Sequence, residues 1–251
     1  MAFYADFAGY YDKIFPLREN TWRFLDRWLP AEGSILDLGC GPGHYCGRLV
    51  SAGRRCLGID LDPGMIEVAE SLHPEASFMI MGLQEVGMLA EGSRDGIICI
   101  GNVLPHLPTQ ELEGFLAAVR RVLRPGGRWI VQTVNFDPLL HLDEHVFRDL
   151  VFPEDKLVFH RRYRRRPDGN ITFRTRLARD GQTLFSGETV LHPRLSHQYR
   201  ALHEAAGLNL LGHYADFTEA PFVGRKSAGS VFVFEVPGDQ PKMGTPEGGT
   251  R

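Results

Sequence analysis

The chain has 251 residues, is 43% hydrophobic and 24% charged, and carries a formal net charge of −3. That length accommodates one large α/β domain with an elaboration, or two small domains, and the composition is that of an ordinary globular protein. The slight acidity argues against a protein built as a whole to bind polyanions, and no apolar run reaches the length of a membrane span.

The first segment, Phe3 to Phe15, is dense in aromatics, as expected of a helix packing an aromatic face on a sheet. It lacks the basic leader and apolar core of a signal peptide, so a cytoplasmic location is expected. A helix follows at Thr21–Leu29 and stops at Pro30. The stretch Ser34–His44 then reads as a fully apolar strand, a glycine-rich turn and the start of a helix. Gly39, Gly41 and Gly43 let the backbone turn sharply and let a ligand press against it. Asp60 ends the next apolar segment, Arg55–Asp60, where a carboxylate is placed to accept both hydroxyls of a ribose.

The ligand is narrowed by the spacing. A dinucleotide fingerprint needs Gly-x-Gly-x-x-Gly, and here His44 holds the last position while Gly43 comes one place early. Asp37, two residues before the first glycine, would sit badly beside a pyrophosphate and suits an ammonium. S-adenosylmethionine carries that ammonium together with a ribose.

Further strands are expected at Ser77–Met81, Gly96–Ile100 and Arg128–Val134. A helix is expected at Thr109–Leu123, with Thr109 placed to cap it and Pro125–Gly127 ending it. Apolar strands alternating with amphipathic helices predict a doubly wound, mostly parallel sheet covered on both faces, with ligands at the carboxyl ends of its strands. After Asn135 the period changes to that of antiparallel strands, at Leu157–Arg164, Ile171–Leu177 and Thr183–Val190. Turns at Pro167–Asn170 and Asp180–Gly181 join them. The core pattern returns with a helix at Ser196–Ala206, a stop at Gly207, and strands near Leu208–Tyr214 and Ser230–Val236. The last residues, 237–251, are polar and rich in Gly and Pro, the composition of a disordered tail. Cys40, Cys46, Cys56 and Cys99 show no C-x-x-C spacing, which predicts reduced thiols and no zinc.

The run ILDLGCGPGHYCGRLVSAGRRCLGIDLDPGMIEVAE resembles the first two motifs of S-adenosylmethionine-dependent methyltransferases with the seven-stranded Rossmann-like fold. DGIICIGNVLPHL resembles that family's fourth strand with the motif after it, and LRPGGRWIVQTVN resembles the turn into its fifth strand. The resemblance implies a seven-stranded sheet whose last strand pair is antiparallel. It covers a cofactor-binding domain of residues 1–134 and 196–236, apart from an insertion, 135–195, which the change of period marks as an antiparallel sheet expected to cover the substrate. By the same resemblance, Gly39, Cys40, Gly41 and Gly43 line the methionine portion, Asp37 supports the ammonium and Asp60 takes the ribose. Leu61 flanks the adenine; Leu83 and Gln84 replace the carboxylate that many relatives carry after the third strand. Ile100, Gly101 and Asn102 end the fourth strand beside the methionine moiety, and Tyr11 closes over the cofactor as a lid contact.

Methyl transfer needs alignment and exclusion of water more than it needs a base. His106 is the candidate acid–base or substrate-orienting group, with a purely structural histidine as the alternative. The order H-L-D-E-H at His141–His145 offers no third ligand, so no metal is expected. The arginine-rich insertion has three readings: a solvated sheet face, an inward clamp for a substrate carboxylate, or contacts to RNA phosphates. The expected activity is methyl transfer to a nitrogen or oxygen of a small molecule. Its alternatives are a tRNA or RNA methyltransferase and a non-catalytic S-adenosylmethionine-binding regulator.

Overall fold

Fully apolar segments can be buried on both faces, and they form the middle of the fold. In the computed structural model, which describes residues 8–238, helices α1 (Ala8–Ile14) and α2 (Glu19–Trp28) precede the first strand. Residues Phe3–Phe7 of the aromatic segment, and the tail beyond residue 238, lie outside the described residues. Strand and helix then alternate: β1 (Ser34–Leu38), α3 (His44–Ser51), β2 (Arg55–Asp60), α4 (Pro63–Leu72), β3 (Ser77–Ile80), β4 (Arg94–Cys99), α5 (Leu112–Val122) and β5 (Leu123–Val134). After an insertion come α6 (Ser196–Ala205), β11 (Asn209–Tyr214) and β12 (Gly229–Glu235). The seven-stranded sheet has the order β11-β12-β5-β4-β1-β2-β3. β1 to β5 are parallel, and β12 runs antiparallel to both β5 and β11.

Alternation along β1 divides the core. Leu36 and Leu38 face a layer with Leu116, Val119 and Trp129, while Ile35 faces one with Trp22, Leu25 and Leu49. Asp37 is on the Ile35 side, toward α3. β1 has β2 on one side and β4 on the other, so the chain winds in opposite directions from it and leaves a crevice beyond its carboxyl end.

Asp62 caps α4, accepting hydrogen bonds from the backbone N–H groups of Gly64 and Met65. The cap expected from Thr109 is not formed. Pro108 starts a 3₁₀ turn over Thr109–Glu111, closed by Glu111 N–H to Pro108 C=O at 3.0 Å, and α5 begins only at Leu112. At the other end, Leu123 pairs with Arg94 as extended chain, so the Pro125–Gly127 turn lies within the bounds of β5.

The insertion is an antiparallel sheet of β6 (Glu144–Val146), β7 (Leu150–Phe152), β8 (Leu157–Arg165), β9 (Ile171–Arg179) and β10 (Gln182–Leu191). Its order is β10-β9-β8-β6, with β7 also on β8. Asp180 and Gly181, at φ 48° and 80°, make the two-residue turn between β9 and β10. The sheet's inner face carries Phe159, Leu177 and Phe185, which pack with Ile14 of α1 and Met65 of α4. The chain's return is anchored by Ser196, whose hydroxyl and N–H donate to the two carboxylate oxygens of Asp137 at 2.6 and 2.8 Å. No described helix is long and apolar enough to cross a membrane.

Candidate active site

The glycine loop leaves β1 with Gly39, Gly41 and Gly43 at φ 72°, 52° and 79°. These are left-handed conformations that side chains resist. Space is equally restrictive: a Cβ at Gly39 would lie 2.6 Å from Val103 Cγ1, and one at Gly43 would lie 2.6 Å from Phe78 Cζ. The N–H groups of Gly39 and Cys40 both donate to Ile59 C=O, at 2.8 and 3.0 Å, which holds the loop against the end of β2. Gly41 N–H donates to Asp60 Oδ2 and Asp62 N–H to Oδ1, each at 3.0 Å. Each Asp60 oxygen therefore has one backbone donor and a second acceptor position left over, which suits a pair of vicinal hydroxyls. Burial pushes its carboxyl pKa up.

Asp37 lies beneath the loop, 2% exposed. Its Oδ2 accepts a hydrogen bond from the Cys46 thiol at 3.6 Å, and the neighbouring charge is Asp60. Burial raises its pKa to about 7, opposed by the Cys46 bond and reinforced by Asp60. Among the described residues no cation pairs with it. Cys46 and Cys99 are buried free thiols held well above the usual range, Cys46 by hydrogen bonds with Cys40 and Cys56 and by burial, Cys99 by burial. Cys40 is half-buried within the loop.

Beyond β2, Leu61 is 73% exposed at the mouth of the crevice. Gln84 Oε1 and a methyl of Leu61 both approach Gly82, while Leu83 packs inward against the core. Sequence reasoning passed over Glu85, whose carboxylate accepts from Gly82 N–H at 2.8 Å and is therefore engaged in holding the turn. Met81 N–H donates to Asp60 C=O, which brings this turn beside the end of β2.

At the tip of β4, after Ile100, Gly101 N–H donates to Gln132 Oε1 at 2.7 Å. Asn102, at φ 65°, accepts from Val134 N–H at 2.8 Å and donates through Nδ2 to the Tyr163 hydroxyl at 3.2 Å. Asn102 thus joins β4, β5 and the inserted sheet. Tyr163 is the residue that sequence reasoning missed; its only signal was an aromatic among arginines on an alternating strand. Tyr11 of α1 reaches the loop from the other side, its ring 3.5 Å from where a Gly41 Cβ would stand. His106 lies further along, in a short turn; burial, with His192 nearby, lowers its pKa to about 4. Such an imidazole is neutral near pH 7 and a weak base. His145 sits on β6 with its ring edge-on to Phe147 at 4.6 Å. His141 precedes that strand, outside the crevice residues described above.

Residues 35–127 match the family described as "Methyltransferase domain". An ubiquinone biosynthesis O-methyltransferase of Xanthomonas axonopodis is 28% identical over 114 residues, 43% of this chain and 46% of that protein. The chain spans about half or less of the length of the curated relatives it matches. Among solved structures, the CcbJ methyltransferase of Streptomyces caelestis superposes with a TM-score of 0.78 at 20% identity, covering 94% of this chain and 98% of that one. S-adenosylmethionine-bound CalS10, an amino pentose methyltransferase of Micromonospora echinaspora, gives 0.64 at 20% identity, covering 86% and 89%. The shared architecture is the Rossmann-like methyltransferase fold, and in the CcbJ comparison it extends over nearly the whole chain.

Proposed function

We propose that the protein transfers a methyl group from S-adenosylmethionine to a nitrogen or oxygen of a small-molecule acceptor. The observation that carries this reading is Asp37, a buried carboxylate beside a glycine loop with no cation of the described chain to neutralise it. An ammonium-bearing ligand would supply the missing charge. Asp60, with an acceptor position left on each oxygen, fits a ribose, and Leu61 and Gln84 fit the base.

Bound in the crevice, S-adenosylmethionine would supply an electrophilic methyl group on a sulfonium. The chain's own contribution is to align and to exclude water. Tyr11 covers the loop, Asn102 fixes the tip of β4, and the inserted sheet roofs the carboxyl ends of the strands through Tyr163. No described group near the β4 tip is suited to act as a strong base, so an acceptor with an available lone pair fits best.

A small acceptor is supported by the names of similar proteins, an ubiquinone biosynthesis O-methyltransferase and an amino pentose methyltransferase. The inserted arginines support it too. Arg162 pairs with Glu144, Arg174 with Glu188, Arg165 with Asp143 and Arg166 with Asp168. Arg176 bonds to His160, which itself contacts Asp149. A cavity of about 480 Å³ opens among Arg161, Arg162, Arg174, Thr175, Arg176 and Glu188, where Arg162, Arg174 and Arg176 already have partners. A basic ribbon for RNA phosphates would leave them unpaired.

The test supplies S-adenosylmethionine labelled in its methyl group, with a pool of small metabolites in one reaction and bulk tRNA in another. Label in the small-molecule fraction with release of S-adenosylhomocysteine is expected. Label in the tRNA alone would contradict the acceptor class.

A further inference from the structure

Along the inner face of the inserted sheet, three rows of side chains cross β8, β9 and β10. One is Phe159, Leu177 and Phe185; the next is Arg161, Thr175 and Gly187; the third is Tyr163, Phe173 and Thr189. The first row packs on α1, where the rings of Phe159 and Phe15 meet edge to face at 5.8 Å. The third reaches the tip of β4, where Tyr163 meets Asn102. The middle row therefore crosses the roof between α1 and the β4 tip. It is the polar row of the three, and β10 contributes only a glycine to it.

Arg161 is the one arginine of the insertion that combines this inward position with half-burial and no ion pair. Its Nη2 donates to Arg148 C=O at 3.0 Å, and its guanidinium lies over the rings of Phe147 and Phe159 at 5.3 and 6.0 Å. No acidic group among the described residues forms an ion pair with it, and its Nε is buried with no hydrogen-bond partner. Thr175, its cross-strand neighbour, is 6% exposed and its hydroxyl likewise has no partner. Asp149 and Arg18, at the start of α2, are both close enough for their charges to bear on Arg161, the carboxylate favouring its charge and the second cation opposing it. Burial itself disfavours the Arg161 charge. A planar fork with a buried, unpartnered Nε and a neighbouring unpartnered hydroxyl define the chemistry of an oxyanion site.

We propose that the methyl acceptor carries an oxyanion, a carboxylate or a phosphate, which Arg161 and Thr175 hold against the roof of the site. This rests on the methyltransferase reading above and adds the acceptor's charge to it. The anion would satisfy both orphaned donors and anchor the acceptor on the aromatic-lined roof above the β4 tip.

The experiment uses the full chain, methyl-labelled S-adenosylmethionine and a small-metabolite extract, with the labelled product resolved on an anion-exchange column at pH 8. The product is expected to be retained as an anion. Capping the extract's carboxylates with methylamine and a carbodiimide abolishes labelling if the group is a carboxylate; phosphatase treatment abolishes it if the group is a phosphate. Arg161→Gln should raise the half-saturating extract concentration about ten- to a hundredfold, as expected for one charge-assisted hydrogen bond, with a smaller change in maximal rate. Arg161→Lys should recover part of that loss, and Thr175→Val should raise the same quantity several fold. The outer-face control Arg164→Gln should leave it unchanged. Melting temperature and S-adenosylhomocysteine affinity are followed throughout, so that misfolding is recognised; if Arg161→Gln is unfolded, the Lys and Val variants carry the comparison. A product bearing neither carboxylate nor phosphate, or unaltered half-saturation in the folded Arg161 variants, would overturn the oxyanion site while leaving methyl transfer standing. Binding of S-adenosylhomocysteine with no label in any fraction would overturn both.

Discussion

Replacing Asp37 with asparagine should stabilise the free protein above neutral pH while weakening the cofactor. The carboxyl is 2% exposed and burial raises its pKa from 3.8 to about 7, which corresponds to about 4 kcal/mol working against the anion in the folded state. Because the folded pKa lies above the unfolded one, Asp37's favourable contribution is complete below about pH 4. It drains away as pH rises to 7 and is absent above that. Asparagine removes the buried charge but leaves an amide short of partners, at a cost of about 1–3 kcal/mol. The net gain at pH 8 is then about 1–3 kcal/mol, or several degrees in melting temperature for a chain of this size. At pH 5, where the native carboxyl is already neutral, the same substitution should be destabilising. Thermal melts of both proteins across this range give the comparison, and calorimetry with S-adenosylhomocysteine should show affinity down about tenfold or more in the variant. Destabilisation of equal size at pH 5 and pH 8 would refute the electrostatic argument. Undiminished affinity would remove Asp37 from the ligand site.

Gly43→Ala should cost more than Gly53→Ala, as measured by chemical denaturation. Both sit at positive φ, 79° and 88°, but only at Gly43 would the new Cβ meet an atom, Phe78 Cζ at 2.6 Å; the control should lose about 1 kcal/mol and Gly43→Ala clearly more. Asn102→Gly keeps the backbone conformation but removes the bonds to Val134 and Tyr163; a loss of about 2 kcal/mol and faster proteolysis within residues 135–195 are expected. His203, stacked on Phe234 with ring centroids 4.4 Å apart, is held neutral by burial with a pKa of about 4. Its folded pKa lies below the unfolded value, so stability should fall as pH drops from 6.5 to 4, by up to about 3 kcal/mol. His203→Phe should flatten that acid limb in denaturation series at pH 7 and 4.5.

The parallel strands could be read from the sequence because a segment such as Gly96–Cys99 is buried on both faces and tolerates almost nothing but apolar residues. The glycine loop and Asp60 were legible for a related reason: the backbone geometry there admits few residue types. β6 and β7 were not anticipated. Glu144–Val146 and Leu150–Phe152 are three residues each, too short to show alternation, and they exist only through pairing with β8. The early start expected for α5 went wrong because Pro108 sets a 3₁₀ turn whose residues look helical one at a time. Among the inserted arginines, alternation separates two faces but cannot say which faces the crevice. That depended on Tyr163 reaching Asn102, a contact between residues 61 positions apart.

The central claim is that the glycine loop, Asp37 and Asp60 form an S-adenosylmethionine site. Titration calorimetry of S-adenosylhomocysteine against the full chain and against Asp60→Ala, with NAD as the comparison ligand, addresses it most directly. Expected are micromolar binding of S-adenosylhomocysteine, none of NAD, and a loss of several fold to a hundredfold in the variant, whose ribose-facing carboxylate is gone. Binding of NAD in place of S-adenosylhomocysteine, or equal S-adenosylhomocysteine affinity with and without the Asp60 carboxylate, would contradict it.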